Sequence, residues 1–289
     1  MVPQKQIVDV SMALILGGLV VWLSFKMRAI VDNLVIEKKI RPPTYKILSD
    51  KQAVAMELCK LIVQIAKYEI DNKGCFIFAV AGGSLLDALT GLVEFKESLD
   101  WTKVTVAFVN HKCIPLDHPK ASMSIVKKNF CDALQLTDII APFTALSSNT
   151  TDGSSEAQEY TQELIHNRLL PVTYDNMPIL DLVLLGLGSD GHVGSNHPNS
   201  VAVQTMNQAV VASPKEGEPS SITLSIPTIN AAKNKIFIVT GGKDGKKEAV
   251  QRAMIRPFEG ERGSFPAQLI DAPFFLLDVE AAANLSSSS

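Results

Sequence analysis

Residues 184–198 read LLGLGSDGHVGSNHP. The stretch begins as the end of an apolar run, DLVLLGLG over residues 181–188, and passes into glycines, an asparagine and a proline. A strand that is apolar at consecutive positions must be covered on both faces, as strands of parallel sheets are. CFIFAV (75–80), VTVAFVN (104–110), KIFIVT (235–240) and FFLLD (274–278) have the same character, with ITLSIP (222–227) as a further strand. Between them lie segments of helical period. Val54, Leu58, Leu61, Ile62 and Ile65 share one helix face behind a Ser49 or Asp50 cap. LLDALTGLVE (85–94), SIVKKNFCDAL (124–134), SSEAQEYTQELIHNRLL (154–170) and KKEAVQRAMI (246–255) continue the pattern. This alternation predicts an α/β domain over residues 41–289, with a mainly parallel sheet and helices on both faces. No internal repeat interrupts it.

Composition narrows the function. The chain has 289 residues, 46% hydrophobic and 20% charged, which is globular and enough for a substantial core. A net charge of −3 gives no overall footprint for nucleic acid. Cys59, Cys75, Cys113 and Cys131 form no CxxC, and no Cys/His pair has zinc-ligand spacing, so reduced thiols and no metal are expected.

The first forty residues differ from the rest. VSMALILGGLVVWLSF (10–25) carries no charge. As a helix it covers roughly 24 Å at about 1.5 Å per residue, slightly short of a hydrocarbon core. Trp22 sits near one end, and Lys26, Arg28, Lys38, Lys39 and Arg41 follow. The expectation is a single N-terminal transmembrane helix with its basic flank over residues 1–40. The positive-inside bias then puts the following domain on a cytoplasm-like side: cytosol, mitochondrial matrix or plastid stroma. A cleaved signal peptide is the competing reading, but Asp9 interrupts a weakly basic start and no A-x-A site follows. RPPTY (41–45) reads as a stiff linker.

In open α/β sheets, ligands sit at the carboxyl ends of strands. Three loops stand there. Ala81-Gly82-Gly83-Ser84 precedes a helix, so it reads as a phosphate cradle or as a tight turn capped by Ser84. NHKCIPLDHPKAS (110–122) follows the next strand. Asp190-Gly191-His192 pairs a carboxylate with an imidazole, which makes a general base for water or merely an Asx turn.

Together AGGSLLDAL, VAFVNHKCIPLDHP, LLGLGSDGHVGSNHP and ITLSIPTINAAKNKIFIVTGGKDGK resemble, in content and order, the 6-phosphogluconolactonases. The glucosamine-6-phosphate deaminases share that fold. The resemblance runs from about Tyr45 to Ala282, and GxGxDGH with a downstream proline is its most specific part. It implies a sugar-phosphate isomerase/lactonase fold and hydrolysis of 6-phosphogluconolactone in the pentose phosphate pathway, without cofactor or metal. By the match, His192 would activate water with Asp190 as its partner. Gly82, Gly83 and Ser84 would hold the phosphate of a sugar-phosphate ligand.

Several charges of that family are missing. Its Asp-Glu-Arg loop is Asn110-His111-Lys112 here, and lysine keeps the charge without the bidentate fork. Lys112 is nonetheless the candidate substitute for the phosphate-binding arginine, with Lys120 and Lys243 as others. The usual Ser-Asn falls on Ala121-Ser122, and the arginine before ITL is Ser221. In the third loop Asn196 resembles the deaminases, but their glutamate falls on His197 and their catalytic aspartate on Asn110. Three readings follow. The anchor and the losses point together to a membrane-anchored homologue with a weakened or lost lactonase site, serving as a structural subunit of a membrane complex. The others are a working, tethered lactonase and a sugar-phosphate-binding module without turnover.

Overall fold

The computed structural model describes residues 41–141, 153–167, 169–214, 216–255 and 261–285. The expected membrane helix over residues 10–25 and its basic flank lie outside these. Among the described residues no helix is long and apolar enough to cross a membrane.

Strand β1 (Thr44–Leu48) opens the domain, where a linker was expected. It is an exposed edge strand, so it lacks the apolar run that marks the others. Helix α1 (Lys51–Lys73) follows. Of its two candidate caps, Asp50 does the work: its side chain accepts from the Ala53 N–H at 2.9 Å. At the other end Gly74 takes φ 87°, a left-handed stop that a side chain would strain. One face of α1 buries Val54, Leu58, Cys59 and Ile62, the spacing legible in the sequence.

Strands β2 (Phe76–Val80), β3 (Val104–Phe108) and β5 (Leu182–Leu185) are buried at every position. With β8 (Asn234–Val239) and β9 (Phe274–Asp278) they complete a six-stranded sheet in the order β1-β9-β8-β5-β2-β3. Every pairing in it is parallel. The chain moves outward from β2 to β3 on one side, and from β5 through β8 to β9 on the other. The order therefore reverses between the neighbours β2 and β5, and a crevice at the carboxyl ends of that pair is where such sheets bind ligands. The AGGS and DGH loops leave the sheet there. The Ala81 N–H donates to the Leu184 carbonyl at 3.0 Å and holds the two exits together.

A second, three-stranded sheet was not expected. Strands β4 (Asn110–Lys112), β7 (Ser221–Leu224) and β6 (Val210–Ser213) run antiparallel in the order β4-β7-β6. In its register Lys112 lies opposite Ser221 and Asn110 opposite Thr223. The two positions where arginines were missed are thus one cross-strand pair.

The segment after AGGS is less regular than its period predicts. One α-turn, α2 (Leu85–Ala88), passes into 3₁₀ turns over Leu89–Ser98. Gly91 lies against α1, where a β-carbon would come 3.2 Å from the Cys59 Sγ. Likewise α3 (Ser122–Val126) runs into a π-helical turn over Lys127–Cys131, where the Asn129 side chain donates to the Leu86 carbonyl at 2.8 Å. Helix α4 (Ser154–His166) is the amphipathic segment expected there; α5 (Val201–Gln204) and α6 (Ile226–Ala231) are short, and α7 (Lys246–Met254) precedes β9.

Candidate functional site

The loop after β5 is built around two glycines. Gly191 has φ 86°, and a β-carbon on it would stand 2.4 Å from the Phe265 ring. Gly188 donates its N–H to the His192 carbonyl at 3.0 Å; a β-carbon there would lie 2.0 Å from the His192 Nδ1. A side chain at 188 and the observed imidazole position exclude one another. Asp190 Oδ1 accepts twice, from the His192 backbone N–H at 3.0 Å and from the ring Nδ1 at 2.7 Å. Partial burial works to raise the Asp190 carboxyl, but the His192 N–H and imidazole bonds outweigh it and leave it below the usual range. An ionised Asp190 fixes the proton on Nδ1 and leaves Nε2 with a basic lone pair.

Downstream, Asn196 is fully buried and anchors the loop. Its amide donates to the Val193 carbonyl at 3.1 Å, the Leu224 carbonyl at 2.9 Å and the Thr223 hydroxyl at 3.3 Å. The residue that resembles the deaminases is thus accounted for by fastening to β7.

His192 opens onto a cavity of about 210 Å³. Gly82, Gly83 and Ser84 line the same space, along with Asn110, Lys51 and Lys246. The glycine turn and the imidazole, about a hundred residues apart in sequence, share one cavity. Ser84 is exposed and makes no capping bond, so its hydroxyl is not spent on the turn. Asn110 couples the loops: its Oδ1 accepts from the Gly82 N–H at 3.0 Å, and its Nδ2 donates to the Ser195 hydroxyl at 3.2 Å. A carboxylate could accept from Gly82 but could not donate to Ser195.

Lys112 stands apart from the other expected substrate-binding residues. It does not line the cavity; its ammonium pairs with Glu218 at 3.2 Å, both side chains about half exposed. The β4 register carries it away to the edge of the small sheet, opposite Ser221. Lys120 and Lys243 do not line the cavity either. The cations that do are Lys51 and Lys246, which the sequence reading passed over. Lys246 donates to the Leu187 carbonyl, and desolvation pulls its ammonium below the usual lysine range against the opposing pull of Asp190 and Asp244. Its placement just after a glycine turn, at the start of a helix following a buried strand, was the available signal. His111, the middle residue of β4, is buried, its ring depressed by desolvation, and takes no part in the cavity.

The family described as glucosamine-6-phosphate isomerases/6-phosphogluconolactonase matches residues 49–274. The chain belongs to this family. A probable 6-phosphogluconolactonase of Schizosaccharomyces pombe is 30% identical over 253 residues, covering 83% of this chain and 95% of that one. The probable 6-phosphogluconolactonase 2 of Oryza sativa subsp. indica is 26% identical over 257 residues, covering 84% and 90%. The fold matches a crystal structure of 6-phosphogluconolactonase from Leishmania guyanensis with a TM-score of 0.70 at 23% identity, covering 83% of this chain and 97% of the other. A monomeric glucosamine-6-phosphate deaminase matches with a TM-score of 0.63 at 20% identity, covering 83% and 99%. Both branches of the family share the fold, so the choice between their chemistries rests on site residues.

Proposed function

We propose that this chain is a hydrolase of the 6-phosphogluconolactonase type, with a phosphate grip weaker than an arginine site would supply. One observation carries the reading. The Asp190-oriented His192 opens onto the cavity lined by Gly82, Gly83, Ser84 and Lys246, and that cavity is not filled by side chains. His192 Nε2 takes a proton from water as its oxygen attacks the lactone carbonyl carbon. The ring ester C–O bond breaks, and the imidazolium returns the proton to the departing alkoxide. The products are the opened hydroxy acid and a regenerated neutral imidazole. Lys246 and Lys51 supply the positive charge for the phosphate, each as a point charge. The deaminase alternative is weaker, since Asn110 stands where its aspartate is expected and an amide cannot accept a proton from carbon.

A second reading is kept because specific features favour it. Lys112 is tied to Glu218 and Ser221 carries no charge, so both positions of the missed arginines are silent. The uncharged run over residues 10–25 would tether the chain to a membrane. On that reading the domain is a non-catalytic subunit of a membrane complex. Lactone hydrolysis by the purified chain decides between them. The hydrolase reading expects a rate above the spontaneous one that falls about 10²–10⁴-fold in His192→Ala, the usual worth of a general base. A rate equal to the spontaneous one, unchanged in His192→Ala, selects the structural subunit.

A further inference from the structure

We infer that Asp190, His192 and His197 form a binding site for a divalent transition-metal ion of the zinc class, and that a bound ion takes His192 out of service as a base. Each residue offers one ligand atom, and the three atoms lie within 4.8 Å of one another. The two imidazole rings are 4.9 Å apart between centroids and inclined at 45°. Zinc bonds to nitrogen and carboxylate oxygen are about 2.0–2.2 Å, which puts neighbouring ligand atoms roughly 3.3 Å apart in a tetrahedron. Asp190 Oδ1 and His192 Nδ1, 2.7 Å apart, now share a proton that the ion would release to solvent, and gathering the three ligand atoms needs side-chain movement of about 1.5 Å at most, within reach of a rotamer adjustment. The side chains have that freedom, being 50% exposed at Asp190 and 38% at His192.

The backbone beneath them does not have it. Gly188 and Gly191 set one end of the loop by close contact, and the buried Asn196, next to His197, sets the other with three hydrogen bonds. Three ligands on a fixed loop with mobile tips approximate a preorganised site. The donor set is selective: two imidazoles and one carboxylate suit zinc, cobalt, nickel or copper and are poor for magnesium or calcium. Water would complete the shell on the cavity side, as in open three-ligand zinc sites. The Lys246 ammonium is the opposing charge, since it interacts with Asp190.

The test is a Co²⁺ titration of the untagged full-length chain, read by visible absorption, followed by competition with Zn²⁺. One saturable equivalent is expected, with the visible bands of a low-coordinate nitrogen/oxygen site. Affinity should fall at least about tenfold in His197→Ala and in Asp190→Asn. No saturable binding, binding unchanged in His197→Ala, or a near-ultraviolet charge-transfer band from thiolate ligands would each overturn the site. His197 is exposed, so loss of the fold does not cloud that variant. The inhibitory half rests on the hydrolase reading: Zn²⁺ should suppress lactone hydrolysis in step with occupancy, and a chelator should restore it. Hydrolysis that survives full occupancy overturns the claim that His192 is a ligand. Binding without any hydrolysis in the metal-free chain keeps the site and removes the hydrolase reading, so the two failures are distinguishable.

Discussion

Lys246 and Lys112 are both lysines near a suspected phosphate site, yet their surroundings assign them different work. Lys112 faces Glu218 at the sheet edge, an exposed pair of small energetic worth. Lys246 lines the cavity, partly desolvated, where one charged hydrogen bond to a phosphate is worth about 1.5–3 kcal/mol. Lys246→Met should therefore raise KM roughly ten- to a hundredfold while kcat changes little, because a phosphate grip acts alike on substrate and transition state. Lys112→Met should leave both unchanged. The lowered Lys246 also gives a pH signature. It loses its proton at a lower pH than an ordinary lysine, so affinity for the product hydroxy acid phosphate should begin to fall on the alkaline side before the usual lysine range. Calorimetric titration of that product against pH checks it, and Lys246→Met should abolish the trend.

At the scale of elements, the strand-to-loop passage after β5 is where small residues have the largest consequence. Gly188→Ala puts a methyl into the space of the His192 ring. The imidazole, half-exposed and free at its tip, yields more readily than the backbone, and it would leave Asp190. Hydrolysis should drop toward the His192→Ala level while the melting temperature shifts little, a split that thermal denaturation and an activity assay together would reveal. Gly191→Ala should do the opposite. Its positive φ and the Phe265 ring offer no mobile tip, so the cost falls on stability, about 1–3 kcal/mol by denaturant unfolding.

For the whole molecule, the end of the sheet away from the cavity is fastened by charge. Asp181 is fully buried. Its carboxylate meets Lys73 at 2.8 Å, Lys233 at 3.0 Å and the Ile77 N–H at 2.8 Å, joining α1, β2 and the approach to β8. Lys233 also reaches Glu69 at 2.5 Å. Removing the Asp181 carboxylate orphans the buried Ile77 N–H and leaves two part-exposed lysines, of which Lys233 keeps Glu69, so Asp181→Ala should cost about 1–3 kcal/mol in urea unfolding and leave KM near its normal value in the surviving folded fraction. The expected membrane anchor is tested at this scale too. If residues 10–25 span a membrane, alkaline carbonate should leave the full chain in the membrane fraction, and a chain without residues 1–40 should remain folded in solution; release of the full chain by carbonate would refute the anchor.

The sequence by itself determined which segments pair with the sheet and where its loops lie. Runs such as FIFAV and LVLL, apolar at every position, fit strands covered on both sides, and the α1 face is a plain helical repeat. The family was legible in GLGSDGH, where Gly188 is kept small by His192 four residues on, although the contact that keeps Gly191 small comes from the distant Phe265. Other features depended on partners remote in the chain. Strand β1 is held by β9 from one side only and carries little apolar signal; β4 and β7 form a sheet whose register alone sends Lys112 out of the cavity. Lys246 and Gly82 meet because the strand order reverses between β2 and β5, and no local pattern encodes that reversal. Periodicity reports which face of an element is buried; which side chains converge on a ligand is decided by the order and register in which those elements are laid together.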